Sequence, residues 1–164
     1  MSLSIRGYAA QSATTPVAPH TFERRDPRPD DVVIDILYCG VCHSDLHQAR
    51  NEWHNSLYPM VPGHEIIGRV SAVGAEVGQF KVGDMVGVGC MVDSCRHCSS
   101  CAQGLEQYCL EGASWTYNGT DRRDGRPTFG GYSERIVGSD RFVVTISAKL
   151  DPKSAAPLLC AGIT

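Results

Sequence analysis

No stretch of this sequence approaches the roughly 20 consecutive apolar residues that span a bilayer. The opening Met1-Ser2-Leu3-Ser4-Ile5-Arg6 lacks the charged head and apolar centre of a secretory leader. Both absences point to a cytoplasmic protein. Basic clusters are missing too: the net charge is -3 and lysine and arginine are scattered, which leaves no electrostatic footprint for nucleic acid or an anionic membrane. No internal repeat or low-complexity tract interrupts the chain. Nor is there a Gly-x-Gly-x-x-Gly after a strand and opening a helix, so the dinucleotide-binding fingerprint is absent. With 164 residues, 42% of them hydrophobic, there is material for one ordinary core.

Cysteine is plentiful by contrast, with eight in the chain. Four form the run Cys95-x2-Cys98-x2-Cys101-x7-Cys109, a spacing that lets one short loop fold four thiolates into a tetrahedron around zinc. A site closed by four thiolates has no vacant position, so it can only hold a lobe together. A sparser set supplies different chemistry. Cys42 opens Cys42-His43-Ser44-Asp45-Leu46-His47, His64 lies in Gly63-His64-Glu65, and Cys160 stands near the end. Two soft thiolates and an imidazole are a known three-ligand set for catalytic zinc, with a fourth position for water or a substrate oxygen. Metal-type spacing without a leader favours thiols over disulfides. Cys39 and Cys90 remain and read as plain buried thiols. His97 reads as an exposed loop residue, because four thiolates already close the site around it.

Val32 to Tyr38 reads as a strand from its β-branched content, followed by Ser44 as the N-cap of a short helix through about Gln48. Further β signals lie at Ile66 to Val73, Met85 to Val88, Tyr132 to Val137 and Phe142 to Ile146, with glycine-containing and charged turns between them. Residues of about 90–127 break the rhythm with cysteines, glycines and the polar run Asp121 to Arg126. Lys153 to Gly162 reads as a helix around Pro157. The fold class is therefore mainly β with short helices: a barrel with a zinc-stapled lobe.

Tyr38-Cys39-Gly40-Val41-Cys42-His43-Ser44-Asp45-Leu46-His47, Tyr58-Pro59-Met60-Val61-Pro62-Gly63-His64-Glu65 and Leu158-Leu159-Cys160-Ala161-Gly162-Ile163-Thr164, with the two cysteine sets, resemble the zinc-dependent medium-chain alcohol dehydrogenases. Within them the chain is most similar to the cinnamyl-alcohol-dehydrogenase branch, which includes bacterial aldehyde reductases. The resemblance implies a GroES-like catalytic domain over residues 1–150, with the structural-zinc lobe at about 90–127. Residues 151–164 would begin the connection to a Rossmann NAD(P)-binding domain not contained here, so these residues alone are not expected to turn over. It further implies two zinc ions, one catalytic and one structural, and hydride transfer between NADP(H) and a primary alcohol or aldehyde of aromatic or medium-chain type. A homodimer is expected of the full-length enzyme.

By the same resemblance Cys42, His64 and Cys160 hold the catalytic zinc, and Ser44 and His47 form a proton relay through the cofactor ribose. His43 meets the cofactor pyrophosphate and Thr164 lines the same cleft. Asp45 and Glu65 bring carboxylates to the metal, where one can orient the ligand imidazole or approach the ion transiently. Trp53 and Met91 are the favoured wall of an apolar substrate pocket, ahead of Tyr58 and Trp115. Two alternatives stand beside this reading: a polyol or formaldehyde dehydrogenase of the same superfamily, and a non-catalytic zinc-binding GroES-like module.

Overall fold

The computed structural model describes residues 3–163. An antiparallel hairpin of β1 (Leu3–Ala9) and β2 (Ala18–Arg24) comes first. It precedes β3 (Asp31–Cys39), the short helix α1 (His43–Ala49), β4 (Ile66–Val73) and β5 (Met85–Val88). An excursion follows, with β6 (Met91–Asp93) paired to β7 (Ser114–Trp115). The chain then returns through β8 (Arg135–Ser139), β9 (Val144–Thr145) and α2 (Pro152–Ala155). The largest sheet is antiparallel in the order β8-β3-β4-β5-β9. The hairpin is stitched to its edge by Tyr8 N–H donating to the Tyr132 carbonyl (2.8 Å) and Glu134 N–H to that of Arg6 (3.1 Å).

The β-branched residues explain where the sheet sits. Val32, Ile34, Ile66, Val70, Val86, Val88 and Ile136 point to one side and bury one another with Phe80 and Val143. Ile67 points to the opposite face and is closed over by Ala155 and Ala156 of the last helical segment. Successive strand residues face opposite sides, so at β4 the sheet is covered on both, and Ile66 and Ile67 are each fully buried. His64 is thus set two residues before a strand gripped from above and below.

Several boundaries differ from the sequence expectation. The N-cap of α1 is Cys42, not Ser44: Asp45 Oδ2 accepts the Cys42 N–H (2.9 Å), which moves the helix start back and frees the serine hydroxyl. Residues 132–134 bond across to the hairpin, and the strand proper runs on to Ser139 because Gly138 and Ser139 still pair with Val32 and Asp31. Instead of one strand at 142–146, a 3₁₀ turn over Asp140–Phe142 leads into two paired residues. The expected helix at 153–162 is one turn of α2 followed by a 3₁₀ turn, Ala156–Leu159, since Pro157 has no N–H to continue the ladder. The hairpin β1–β2 was not expected: β1 carries a short alternation of Leu3, Ile5 and Ala9 with polar neighbours, but β2 contains Pro19, His20 and charged residues.

The excursion is pinned to the sheet by ion pairs. Asp121 accepts from Arg25 Nε (3.0 Å) and Arg28 Nη1 (3.0 Å), Arg28 also reaches Asp124 (2.9 Å), and Asp30 holds Arg96 (3.0 Å) and Arg123. Burial would raise the Asp121 carboxyl, but the Arg28 guanidinium and the Arg123 N–H outweigh it and hold it below its ordinary value. Asp30 is likewise held low, foremost by Arg123. Folded values below the unfolded ones mean that the stabilisation is present above about pH 4 and is lost as pH falls through the folded values. Asp121→Asn should lower the melting temperature at pH 7 by about 3–6 °C. Thermal melts of variant and parent should draw together as pH falls below the ordinary carboxylate value of about 4, and curves that stay parallel throughout acid titration would remove the carboxylate from this role.

Candidate metal centre and cleft

The donor atoms of Cys95, Cys98, Cys101 and Cys109 all lie within 4.8 Å of one another. Tetrahedral zinc–sulfur bonds of about 2.3 Å set neighbouring sulfurs about 3.8 Å apart. The Cys95 and Cys101 sulfurs are 3.8 Å apart. Backbone N–H groups already point at the sulfurs: Cys98 N–H at Cys95 Sγ (3.3 Å), Cys95 N–H at Cys109 Sγ (3.4 Å) and Leu110 N–H at Cys98 Sγ (3.4 Å). The Cys101 and Leu110 amides draw the Cys98 thiol down to about 6, while burial pushes its neighbour Cys95 up to about 12, a mismatch that a cation among the four sulfurs relieves. His97 is exposed and bonds to Glu111 (2.8 Å). Its cluster with Glu111 shares Cys95, so it is no independent site.

The second set converges equally well. Cys42, His64 and Cys160 bring their donors within 4.8 Å of one another, and the two sulfurs are 3.9 Å apart. Cys42 is delivered by the cap of α1, His64 by the loop entering β4, and Cys160 by the end of the 3₁₀ turn after α2. Asp45 organises the first two. Its Oδ1 lies 3.1 Å from His64 Nδ1 and accepts the Gly63 N–H (3.0 Å), and its Oδ2 accepts the Cys42 N–H. A carboxylate can only accept, so Nδ1 carries the proton and Nε2 keeps its lone pair for a metal.

Electrostatics agree. Burial raises the Cys42 thiol, but hydrogen bonding with Ser44, foremost to its backbone N–H, outweighs it and the thiol lies below its ordinary value. Burial, Cys90 and the charge of Cys42 push Cys160 up to about 12. One negative sulfur thus opposes a second, and a cation between them removes the conflict. Glu65, fully buried beside them, gives Oε1 to the Ala161 N–H (3.0 Å), while its Oε2 has no partner among the described residues. This donor set, with a buried carboxylate oxygen to spare, fits zinc.

A cleft of about 550 Å³ opens beside the cluster, lined by Ser44, Gln48, Trp53, Cys90, Trp115 and Tyr117 among others. Ser44 Oγ lies 3.7 Å from Cys42 Sγ. His47 sits a turn further along α1, with Nδ1 against Glu52 and its ring stacked on His43 (4.5 Å) and tilted against Trp53 (5.3 Å). Trp53 stands in the wall, but Met91 does not. The chain at Cys90 bonds its carbonyl to Thr116 N–H (2.9 Å) and turns there into β6, so Cys90 faces the cleft and Met91 pairs with Trp115 beyond it. Cys90 is therefore a wall residue rather than only a buried thiol. Cys39 stays with the core, where burial lifts its thiol to about 12. Tyr58 spends its hydroxyl on the Ala49 carbonyl (2.7 Å). Thr164 lies outside the described residues. Sequence reasoning missed Gln48 and Glu52, which the α1 helix and the turn after it bring to the cleft and to His47, and Tyr117, which carries no motif and is brought in from the return path of the lobe.

The chain is a mainly β domain in which four cysteine sulfurs converge in one lobe and a Cys₂His set converges at the edge of a cleft, two donor arrangements suited to metal ions. Residues 28–148 match the family described as Alcohol dehydrogenase GroES-like domain, and the chain belongs to that family. It is 56% identical over 161 residues to the NADP-dependent alcohol dehydrogenase C of Mycobacterium tuberculosis, covering 98% of this chain and 46% of that protein. It is 52% identical over 163 residues to the aldehyde reductase YahK of Escherichia coli, covering 99% and 46%. Among solved structures, a cinnamyl alcohol dehydrogenase from Sorghum bicolor superposes with a TM-score of 0.95 at 48% identity, covering 99% of this chain and 46% of that one. The chain spans a little under half the length of these relatives. Among the described residues, no helix is long and apolar enough to cross a membrane.

Proposed function

We propose that this chain is the zinc-bearing part of an NADP-linked alcohol dehydrogenase or aldehyde reductase acting on primary alcohols or aldehydes, with one catalytic and one structural zinc. The observation that carries the reading is the convergence of Cys42, His64 and Cys160 at a cleft walled by Trp53, Trp115 and Tyr117. When bound there, zinc polarises a carbonyl oxygen or lowers the pKa of a hydroxyl, and NADP(H) is the hydride carrier. The chain's own residues do the rest. The aromatic wall holds an apolar side chain and excludes water. Ser44, freed from capping, offers its hydroxyl next to Cys42 to take or give the proton at the reacting oxygen, and His47, with Glu52 at its Nδ1, holds that proton on the solvent side. His43, exposed and stacked on His47, offers a ring N–H suited to the cofactor pyrophosphate, and Thr164 is assigned to the same cleft. Met91 pairs with Trp115 outside the cleft, so of the two expected wall residues Trp53 lines the pocket.

The domain boundaries expected from the sequence, a cytoplasmic location and a homodimeric full-length enzyme belong to this reading. Assays of the full-length protein with benzaldehyde or cinnamaldehyde and NADPH, against sorbitol and NAD, should favour the aromatic aldehydes by at least about tenfold in kcat/KM. The reverse preference would move the assignment to the polyol dehydrogenases.

A further inference from the structure

We propose that Tyr132 is a positioning residue for the open metal site, its hydroxyl completing the set of donors that fixes Asp45 against His64. This rests on the reading that Cys42, His64 and Cys160 hold a metal. The Tyr132 hydroxyl donates to Asp45 Oδ2 at 3.2 Å. With the Cys42 N–H on the same oxygen, and the Gly63 N–H and His64 Nδ1 on the other, the carboxylate meets four partners. An ionised carboxylate has about four lone-pair sites, so none is left over. Asp45 is buried, and an unmet lone pair on a buried charge is costly enough to turn the group.

The tyrosine is itself delivered with little freedom. Gly130, Gly131 and Tyr132 donate their N–H groups to Val61 (2.8 Å), Gly63 (2.8 Å) and Pro62 (3.0 Å), forming a strap along the segment that ends at His64. Arg24 anchors the strap from behind, donating to the carbonyls of Phe129 (2.8 Å) and Gly130 (2.8 Å). The ring lies over Gly63, whose φ is +102° and where a Cβ would sit 2.7 Å from Tyr132 Cδ1. Only glycine permits that approach. The strap therefore sets the height of the tyrosine, the tyrosine sets the carboxylate, and the carboxylate sets the tautomer and direction of the imidazole.

The test is Tyr132→Phe in the full-length protein, with zinc and cobalt alone as probes. Removing an outer partner of a metal ligand costs roughly 10–100-fold in affinity. One step further out, we expect roughly a fivefold rise in the zinc dissociation constant of the open site. The four-cysteine lobe should keep its zinc and the melting temperature should stay within about 3 °C. Cobalt in the open site should show displaced ligand-field bands, a change that a purely packing role for the ring does not produce. Combined with Asp45→Asn, Tyr132→Phe should add nothing further. Unchanged affinity and spectrum, equal loss of both metals, or a variant that does not fold would each overturn the proposal. A parent protein binding only one zinc would instead remove the reading on which it rests.

Discussion

Cys42→Ser in the full-length protein should leave one zinc per chain bound and cut turnover by about a thousandfold or more. The sulfur is one of three donors held within 4.8 Å at the cleft, and its loss leaves an imidazole and a single thiol facing a weakly donating hydroxyl. The backbone supports survive the change, because the Cys42 N–H bond to Asp45 does not involve the side chain. Serine also caps a helix well. Folding should therefore be spared, which makes zinc content and turnover separable readouts. Elemental analysis returning a loss of both ions, or a variant with parental turnover, would contradict the division of labour between the two sites.

A larger effect on stability is expected from Cys98→Ser. The excursion has little apolar interior: Leu105, Tyr108 and Leu110 are 40%, 66% and 72% exposed. What orders it is the convergence of amides and side chains on four sulfurs, and structural zinc in such loops contributes apparent binding energies of about 10–16 kcal/mol to folding. We expect the melting temperature to fall by at least about 10 °C, with one zinc lost. Activity should decline too, because Trp115, Thr116, Tyr117 and Asn118, on the return path from the lobe, form one wall of the cleft. Lost activity with unchanged melting and solubility would show that the lobe is held by something other than its metal.

These two sites differ in how far they were legible in the sequence. Four thiols within 15 residues can meet only through one local loop, so spacing alone reads them. Cys42, His64 and Cys160 lie far apart in the chain, and only their chemistry and the surrounding motifs connect them. Strands β4 and β5 were legible to the residue because their β-branched runs end in glycine and charged turns. The cap of α1 was misassigned because Ser44 is the better capping side chain in isolation, whereas Asp45 selects Cys42 by bonding its amide. Met91 was chosen as a wall residue without knowledge of the turn at Cys90. Tyr132 and Arg24 could not have been found, since each acts through a strap more than 60 residues away from the segment it holds or the segment that holds it.

The three donors of the open site are held in two different ways. Cys42 and His64 are clamped together through a single carboxylate and backed by a strand buried on both faces. Cys160 instead ends a 3₁₀ turn and is tethered through the neighbouring Ala161 N–H to Glu65. Two of the three donors are thus set by Asp45, and the third by a segment that reaches the site through Glu65.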